Sequence, residues 1–184
     1  MQIARDFVNN VSRIAPVYYV TGNHEARVSV EDEIDNVELD KNVIVLHNQS
    51  VLLKKGESAI QLIGVDDPDY RAVKDSTKYM NERLEKYSDN EYFKILLSHR
   101  PELFDVYAEN NINIVFSGHA HGGQFRLPFI GGLIAPHQGL FPEYDSGLHT
   151  SNNTNMVVSR GLGDSIIPLR INNPPEIIIV TLNK

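Results

Sequence analysis

Three times along this chain a short hydrophobic run stops at a cluster of histidine, asparagine and glycine. Val17–Val20 runs into Gly22-Asn23-His24-Glu25, Phe93–Leu97 into Ser98-His99, and Ile114–Phe116 into Gly118-His119-Ala120-His121. Each run has the length and composition of a buried strand. In layered α/β folds sites assemble at strand ends, because a rigid sheet fixes the positions while the loops are free to vary. The pattern therefore predicts that Asn23, His24, His99, His119 and His121 are presented to one shared cleft. A lone histidine at a strand end is usually structural; five ligand-type residues at three strand ends are not.

The segments between these ends fit such a frame. Ile3, Phe7, Val8, Val11 and Ile14 recur at helical spacing, which predicts an amphipathic helix over about 3–14, ended by Pro16. Residues 31–41 are acidic and read as a short helix at most. Strands are expected at Val43–Leu46, Ser50–Lys54 and Ala59–Val65, with Lys55-Gly56 as a hairpin turn. A surface helix follows at Asp75–Tyr87, a strand at Phe93–Ser98, a helix from Pro101 to about Ala108, and a strand at Asn113–Ser117. Further strands are expected near Gln124–Phe129, Asn155–Ser159 and Glu176–Leu182, with Gly131–Gly147 as a long loop. Alternating strands and helices that give way to strands predict an α/β domain with mixed sheets. Residues 1–184 read as a single domain without an internal linker.

Composition removes several chemistries. The 184 residues carry 17 Lys+Arg against 24 Asp+Glu, a formal charge of −7. That balance argues against tracking DNA or RNA through phosphate contacts, and against a polybasic membrane anchor. The absence of cysteine removes disulfides, thiolate metal sites and thiol nucleophiles. No run approaches the ~20 apolar residues of a membrane span, and no signal peptide opens the chain. Chemistry is left to His, Asp, Glu, Asn, Ser and backbone.

The histidines suit a metal. His119 and His121, at i and i+2, point to the same side if their segment stays extended. Neutral imidazoles with an amide oxygen suit a borderline divalent ion such as Mn2+, Fe2+ or Zn2+. Other signals are weaker. His24-Glu25-Ala26-Arg27-Val28 opens like a zinc-protease helix, but Val28 stands where the second ligand belongs. Gly163-Asp164-Ser165 resembles a serine-hydrolase tripeptide without a histidine partner at a matching spacing. Arg160 and Arg126 are candidate phosphate contacts, since guanidinium forks match phosphate oxygens, with a surface ion pair as the competing reading. His137 reads as an exposed loop histidine, Glu25 as an exposed turn residue, and His47 and His149 carry no signal. Asp66, Asp67 and Asp69 read as a loop rather than as metal carboxylates.

Gly22-Asn23-His24-Glu25, Leu97-Ser98-His99-Arg100-Pro101 and Gly118-His119-Ala120-His121-Gly122-Gly123-Gln124 resemble three motif blocks of the calcineurin-like metallophosphoesterases. The nearer likeness is to the bacterial branch of small phosphodiesterase-type enzymes. Ala135-Pro136-His137-Gln138-Gly139-Leu140-Phe141-Pro142 and Val158-Ser159-Arg160-Gly161-Leu162-Gly163 resemble its tail segments, so the likeness runs from about Pro16 to the C-terminus. It implies a sandwich of two mixed β-sheets flanked by helices, and a hydrolase acting on phosphodiester or pyrophosphate-linked small molecules. By position, Asn23, His99 and His119 resemble ligands of the second metal and His121 a ligand of the first. His24 resembles the non-ligand histidine facing the scissile phosphate. The implied mechanism is two-metal hydrolysis, with a metal-bound hydroxide attacking phosphorus in line and His24 stabilising the transition state or protonating the leaving alkoxide. Arg160 would contact substrate.

The family pattern opens with Asp-x-His and Gly-Asp-x-x-Asp blocks, and this sequence contains neither. The resemblance puts them upstream of residue 1, so the chain is expected to be the C-terminal portion of one such domain with its first strands missing. It would keep at most a partial site for its two divalent ions, and impaired activity. Two other readings stay open: a non-catalytic binding scaffold on the same fold, and one half of a split enzyme completed by a separate N-terminal segment. The expected location is cytoplasmic or peripheral to a membrane, with any signal or anchor in the absent segment.

Overall fold

The computed structural model describes residues 2–27, 39–88, 91–163 and 169–183. They belong to two compact units, residues 1–99 and 100–184.

The first unit opens with α1, Gln2–Val11. The helical spacing is realised, but the stripe that set it is not buried: Ile3 and Ile14 are each 86% exposed and Phe7 is 47% exposed. β1 (Val17–Tyr19) pairs in parallel with β2 (Val43–Val45), Val17 opposite Val43. The acidic stretch that reads as a short helix at most falls largely on residues 31–38, outside the described residues. β3 (Gln49–Lys55) and β4 (Ser58–Gly64) form an antiparallel hairpin whose turn uses the left-handed backbone of Gly56, φ 61°. β4 continues in parallel with β5 (Phe93–Leu97), Ile60 opposite Phe93. The apolar runs of β4 and β5 make the core, with Leu62, Ile63 and Leu96 buried. So are Tyr79, Met80 and Leu84 of α2 (Ser76–Leu84), and each such side chain removed from water contributes roughly 1.5–3 kcal/mol. Asp75 caps α2, accepting the Lys78 N–H at 2.9 Å.

The second unit begins with a tight turn at Pro101–Leu103 that leads into α3 (Phe104–Glu109), the proline standing at the turn's first position. Strand β6 (Ile114–Ser117) pairs in parallel with β12 (Thr154–Val158), Val115 opposite Met156, and β12 pairs antiparallel with β11 (Gly147–Ser151). Phe104, Val106 and Tyr107 of α3 are buried, as are Val115, Met156 and Val158. Both units therefore mix parallel and antiparallel pairing beside helices, and the α/β class with mixed sheets holds.

Two expectations fail in this unit. The stretch Gln124–Phe129 supplies only β7 (Arg126–Leu127), which pairs with β8 (Gly131–Gly132); β9 (Ile134–Ala135) pairs with β10 (Gly139–Leu140). The predicted long loop is thus partly folded into short hairpins. Glu176–Leu182 forms no strand, and Ile177 and Ile179 are 74% and 88% exposed. Its β-branched composition suits a strand, but a strand exists only where a neighbour completes its backbone hydrogen bonds. No helix among the described residues is long and apolar enough to cross a membrane.

Candidate active site

In the first unit the chain leaves β1 through Thr21-Gly22-Asn23, all buried, and emerges at an exposed His24. Glu25 folds back over the turn. Its carboxylate accepts the Gly22 N–H at 2.6 Å and the Tyr19 hydroxyl at 2.8 Å, so a residue that reads in sequence as an exposed acid instead holds the loop's shape. Burial first, then the charge of Glu25, push the Tyr19 phenol far above the ordinary tyrosine range. Asp66 secures the same turn from its other side, accepting the Thr21 hydroxyl at 2.9 Å. It also accepts from His47 at 2.8 Å, Asn48 at 3.0 Å and the Arg71 Nε–H at 2.8 Å. That many donors leave Asp66 no lone pair for a metal, in keeping with its sequence reading.

Asn23 and His99, at the ends of two different strands and 76 residues apart, meet here. The His99 Nε2–H donates to Asn23 Oδ1 at 3.1 Å, and Asn23 is 3% exposed. Gly22 makes the meeting feasible: a Cβ at that position would stand 2.9 Å from His99 Cε1. Two Lewis bases, one imidazole nitrogen and one amide oxygen, thus share a buried spot. Neutral donors of this kind fit a borderline divalent ion, which would replace the hydrogen bond between them.

The second unit carries the paired histidines, and not on an extended segment. His119 and His121 both have left-handed backbones, φ 65° and 49°, followed by Gly122 at 65° and Gly123 at 73°. The Ala120 N–H donates to Gly118 O at 2.7 Å and the Gly123 N–H to Ala120 O at 2.7 Å. The i, i+2 argument therefore does not apply, because it needs an extended chain. A tight turn sets the two rings instead, and left-handed non-glycine residues mark a strained backbone held by its surroundings. Asn173 supplies part of that hold: 2% exposed, it donates through Nδ2 to His121 O at 2.6 Å and to Gln124 O at 3.2 Å.

His119 is itself buried, and its Nε2 lies 2.9 Å from Nδ1 of His137, with the rings stacked 5.1 Å apart. Glu102 completes a group: ligand atoms of Glu102, His119 and His137 all lie within 4.8 Å of one another. One Glu102 oxygen accepts from Arg100 at 3.2 Å; the other is buried and has no partner. Burial chiefly raises the pKa of this carboxyl against the opposing pull of Arg100. Sequence reasoning set His137 aside and missed Glu102 and Asn173. Each acts through a neighbour distant in the chain, which no local spacing encodes.

Both candidate phosphate-binding arginines are engaged. Arg160 donates through Nη2 to Glu176 at 2.6 Å, and its backbone N–H donates to the same carboxylate at 2.9 Å. The Arg160 guanidinium holds Glu176 below the usual carboxylate range. Arg126 donates to Gly122 O at 3.0 Å and Ser146 Oγ at 2.9 Å, and pairs with Asp145 at 3.0 Å. In Gly163-Asp164-Ser165, Asp164 and Ser165 lie outside the described residues.

Comparison with known proteins points one way. Residues 2–123 match the family model described as calcineurin-like phosphoesterase. Among curated proteins, an uncharacterized metallophosphoesterase of Bacillus subtilis (strain 168), YkuE, is 36% identical over 139 residues, 73% of this chain and 44% of its own length. A metallophosphoesterase of Aquifex aeolicus (strain VF5), also uncharacterized, is 30% identical over 171 residues, covering 90% of this chain and 60% of its own length. Phosphodiesterase YaeI of Escherichia coli (strain K12) is 26% identical over 179 residues, 96% of this chain and 62% of its own. The chain thus spans between 44% and 62% of the length of these relatives. No solved structure matches it.

Proposed function

The chain belongs to the calcineurin-like phosphoesterase family, and we propose that residues 1–184 form the C-terminal portion of a domain that hydrolyses phosphoester bonds of small molecules with two divalent ions. Phosphodiesters and pyrophosphate-linked compounds are the substrate class, in keeping with the phosphodiesterase name of one relative. Asn23, His99 and His119 are assigned to the second ion and His121 to the first, by their match to the motif blocks. The Asn23–His99 contact carries the reading: a buried amide oxygen and an imidazole nitrogen 3.1 Å apart, from strand ends far apart in sequence, support a metal-holding role.

Divalent ions would supply charge neutralisation at the phosphoryl oxygens and an activated water, with Mn2+, Fe2+ or Zn2+ suiting the donors. The protein's own part is positional. Glu25 and Asp66 hold the turn that carries Asn23 and His24, and Asn173 holds the turn that carries His121. His24, exposed at the tip of its turn, is assigned the proton delivered to the leaving alkoxide. Arg160 is assigned to substrate phosphate, with Glu176 fixing its fork.

The test is hydrolysis of bis(p-nitrophenyl) phosphate with added Mn2+, using this chain alone, this chain with a separate segment bearing the Asp-x-His and Gly-Asp-x-x-Asp blocks, and one continuous chain with both. Turnover in the continuous chain that Asn23→Ala and His119→Ala abolish supports the reading. Unchanged turnover in either variant refutes the ligand assignment. A continuous chain that is well folded yet inert leaves the binding-scaffold reading in its place. Activity restored by the separate segment identifies a split enzyme.

A further inference from the structure

We propose that Glu102, His119 and His137 form a self-contained site for one zinc-class divalent cation, lying wholly within residues 100–184. It shares His119 with the phosphoesterase assignment but rests on neither Asn23 nor His99. Three observations carry it.

The first is the ligand set. Two imidazole nitrogens and one carboxylate, with all ligand atoms inside 4.8 Å, match the two-histidine, one-glutamate set that holds zinc while leaving a coordination position open. The second is what the ion would relieve. Two imidazole nitrogens 2.9 Å apart share one proton as a hydrogen bond, and a cation bound by both lone pairs would take that proton's place. One oxygen of Glu102, the third member of the group, is buried with no hydrogen-bond partner. Buried acceptors without a donor are rare, and an unplaced ion is one of their ordinary explanations.

The third is the backbone. His119 and His137 both sit in the left-handed region, at φ 65° and 59°, one in the turn after β6 and the other in the β9–β10 turn. β-Carbons make that region costly, so such residues persist where the surroundings fix them, and they gather at functional sites. Here the strained geometry brings two rings from separate turns into contact. Glu102 comes from a third element, the Pro101–Leu103 turn, and Arg100 donates to one of its oxygens at 3.2 Å while the other has no hydrogen-bond partner. An orienting partner behind a metal ligand is the usual second half of such a site.

Co2+, which reports tetrahedral zinc-type ligation through visible d–d absorption, is the probe, titrated into the whole chain with calorimetry for stoichiometry. The expected result is one Co2+ per chain that survives Asn23→Ala combined with His99→Ala. Glu102→Gln and His137→Ala should each weaken it by at least ~10-fold, as removal of even an outer partner commonly does. His137 is exposed and Glu102→Gln is isosteric, so urea midpoints near that of the parent should verify folding. Binding lost in the Asn23/His99 variant but kept in the other two overturns the proposal and leaves the phosphoesterase ligand set standing. Loss in every variant points to one shared ion and overturns a self-contained site. No Co2+ bound by the parent chain, or equal binding by all forms, also overturns it, while the hydrolysis reading is judged separately by its turnover assay.

Discussion

The Thr21 hydroxyl donates to the carboxylate of Asp66 across 2.9 Å, and both residues are fully buried. The same oxygen of Thr21 accepts the Asp67 N–H at 3.1 Å, so one threonine ties the turn after β1 to the loop after β4. A buried carboxylate is tolerable only when donors surround it, and His47, Asn48 and Arg71 supply the rest.

Removing the hub should be expensive. Asp66→Ala strands the buried Thr21 hydroxyl and takes the shared partner from the part-exposed His47 and Asn48 and the exposed Arg71, and is expected to cost about 1–3 kcal/mol, the range for leaving a buried polar group unsatisfied. Thr21→Val deletes one neutral donor and one acceptor and should cost about 1–3 kcal/mol. Urea unfolding of both variants measures this, and a loss below ~1 kcal/mol in Asp66→Ala would show the cluster to be solvated rather than structural.

Gly22→Ala tests why glycine precedes Asn23. The new Cβ would approach His99 Cε1 to 2.9 Å, well inside contact distance, so the ring must swing away from Asn23 or the turn must open. Overpacking of this kind costs about 1–3 kcal/mol. The specific expectation is loss of the Asn23–His99 contact, read as altered His99 ring resonances in NMR. Unchanged His99 resonances with a folded protein would mean that the turn absorbs the methyl group.

What could be read in advance follows from how local each signal is. Asn23 and His99 were legible because each follows a strand, and strand ends are where layered α/β folds assemble sites, even though β1 and β5 belong to different sheets. β3 to β5 were legible from apolar runs and a Gly turn. The conformation of His119 and His121 was not, because residue type alone does not announce a left-handed φ in a non-glycine. Glu176–Leu182 was misjudged because pairing is a property of two segments and composition belongs to one. Glu102 and Asn173 were invisible for a related reason: the carbonyls held by Asn173 lie 49 and 52 residues away.

The Tyr19–Glu25 pair predicts an alkaline weakness. Burial, then the adjacent carboxylate, raise the folded-state pKa of the phenol above its unfolded value of ~10. The stabilisation is therefore fully present below pH ~10 and is lost as pH climbs from there toward the folded pKa, since the unfolded chain releases a proton that the folded chain must keep. The slope for one such group is about −1.4 kcal/mol per pH unit. Tyr19→Phe removes the titration, so unfolding free energies of parent and variant, measured at several pH values across ~10, should converge as pH rises. Parallel curves would show that the phenol titrates normally.

Asn173 should matter out of proportion to its position near the end of the chain. Its amide donates to the carbonyls of His121 and Gln124, which bracket the left-handed Gly122 and Gly123, and the side chain is almost wholly buried. Asn173→Ala removes that donor from both carbonyls, the His121 carbonyl keeping the Gln124 N–H at 3.2 Å, and should cost about 1–3 kcal/mol in all. Asn173→Asp keeps the shape but replaces the donor with an acceptor facing two carbonyl oxygens, and should be at least as damaging. Because the turn presents the histidine pair, metal affinity is expected to fall with stability in both variants. Equilibrium unfolding and Co2+ titration of the same samples separate the two effects. If stability falls while affinity holds, Asn173 braces the fold without setting the histidines.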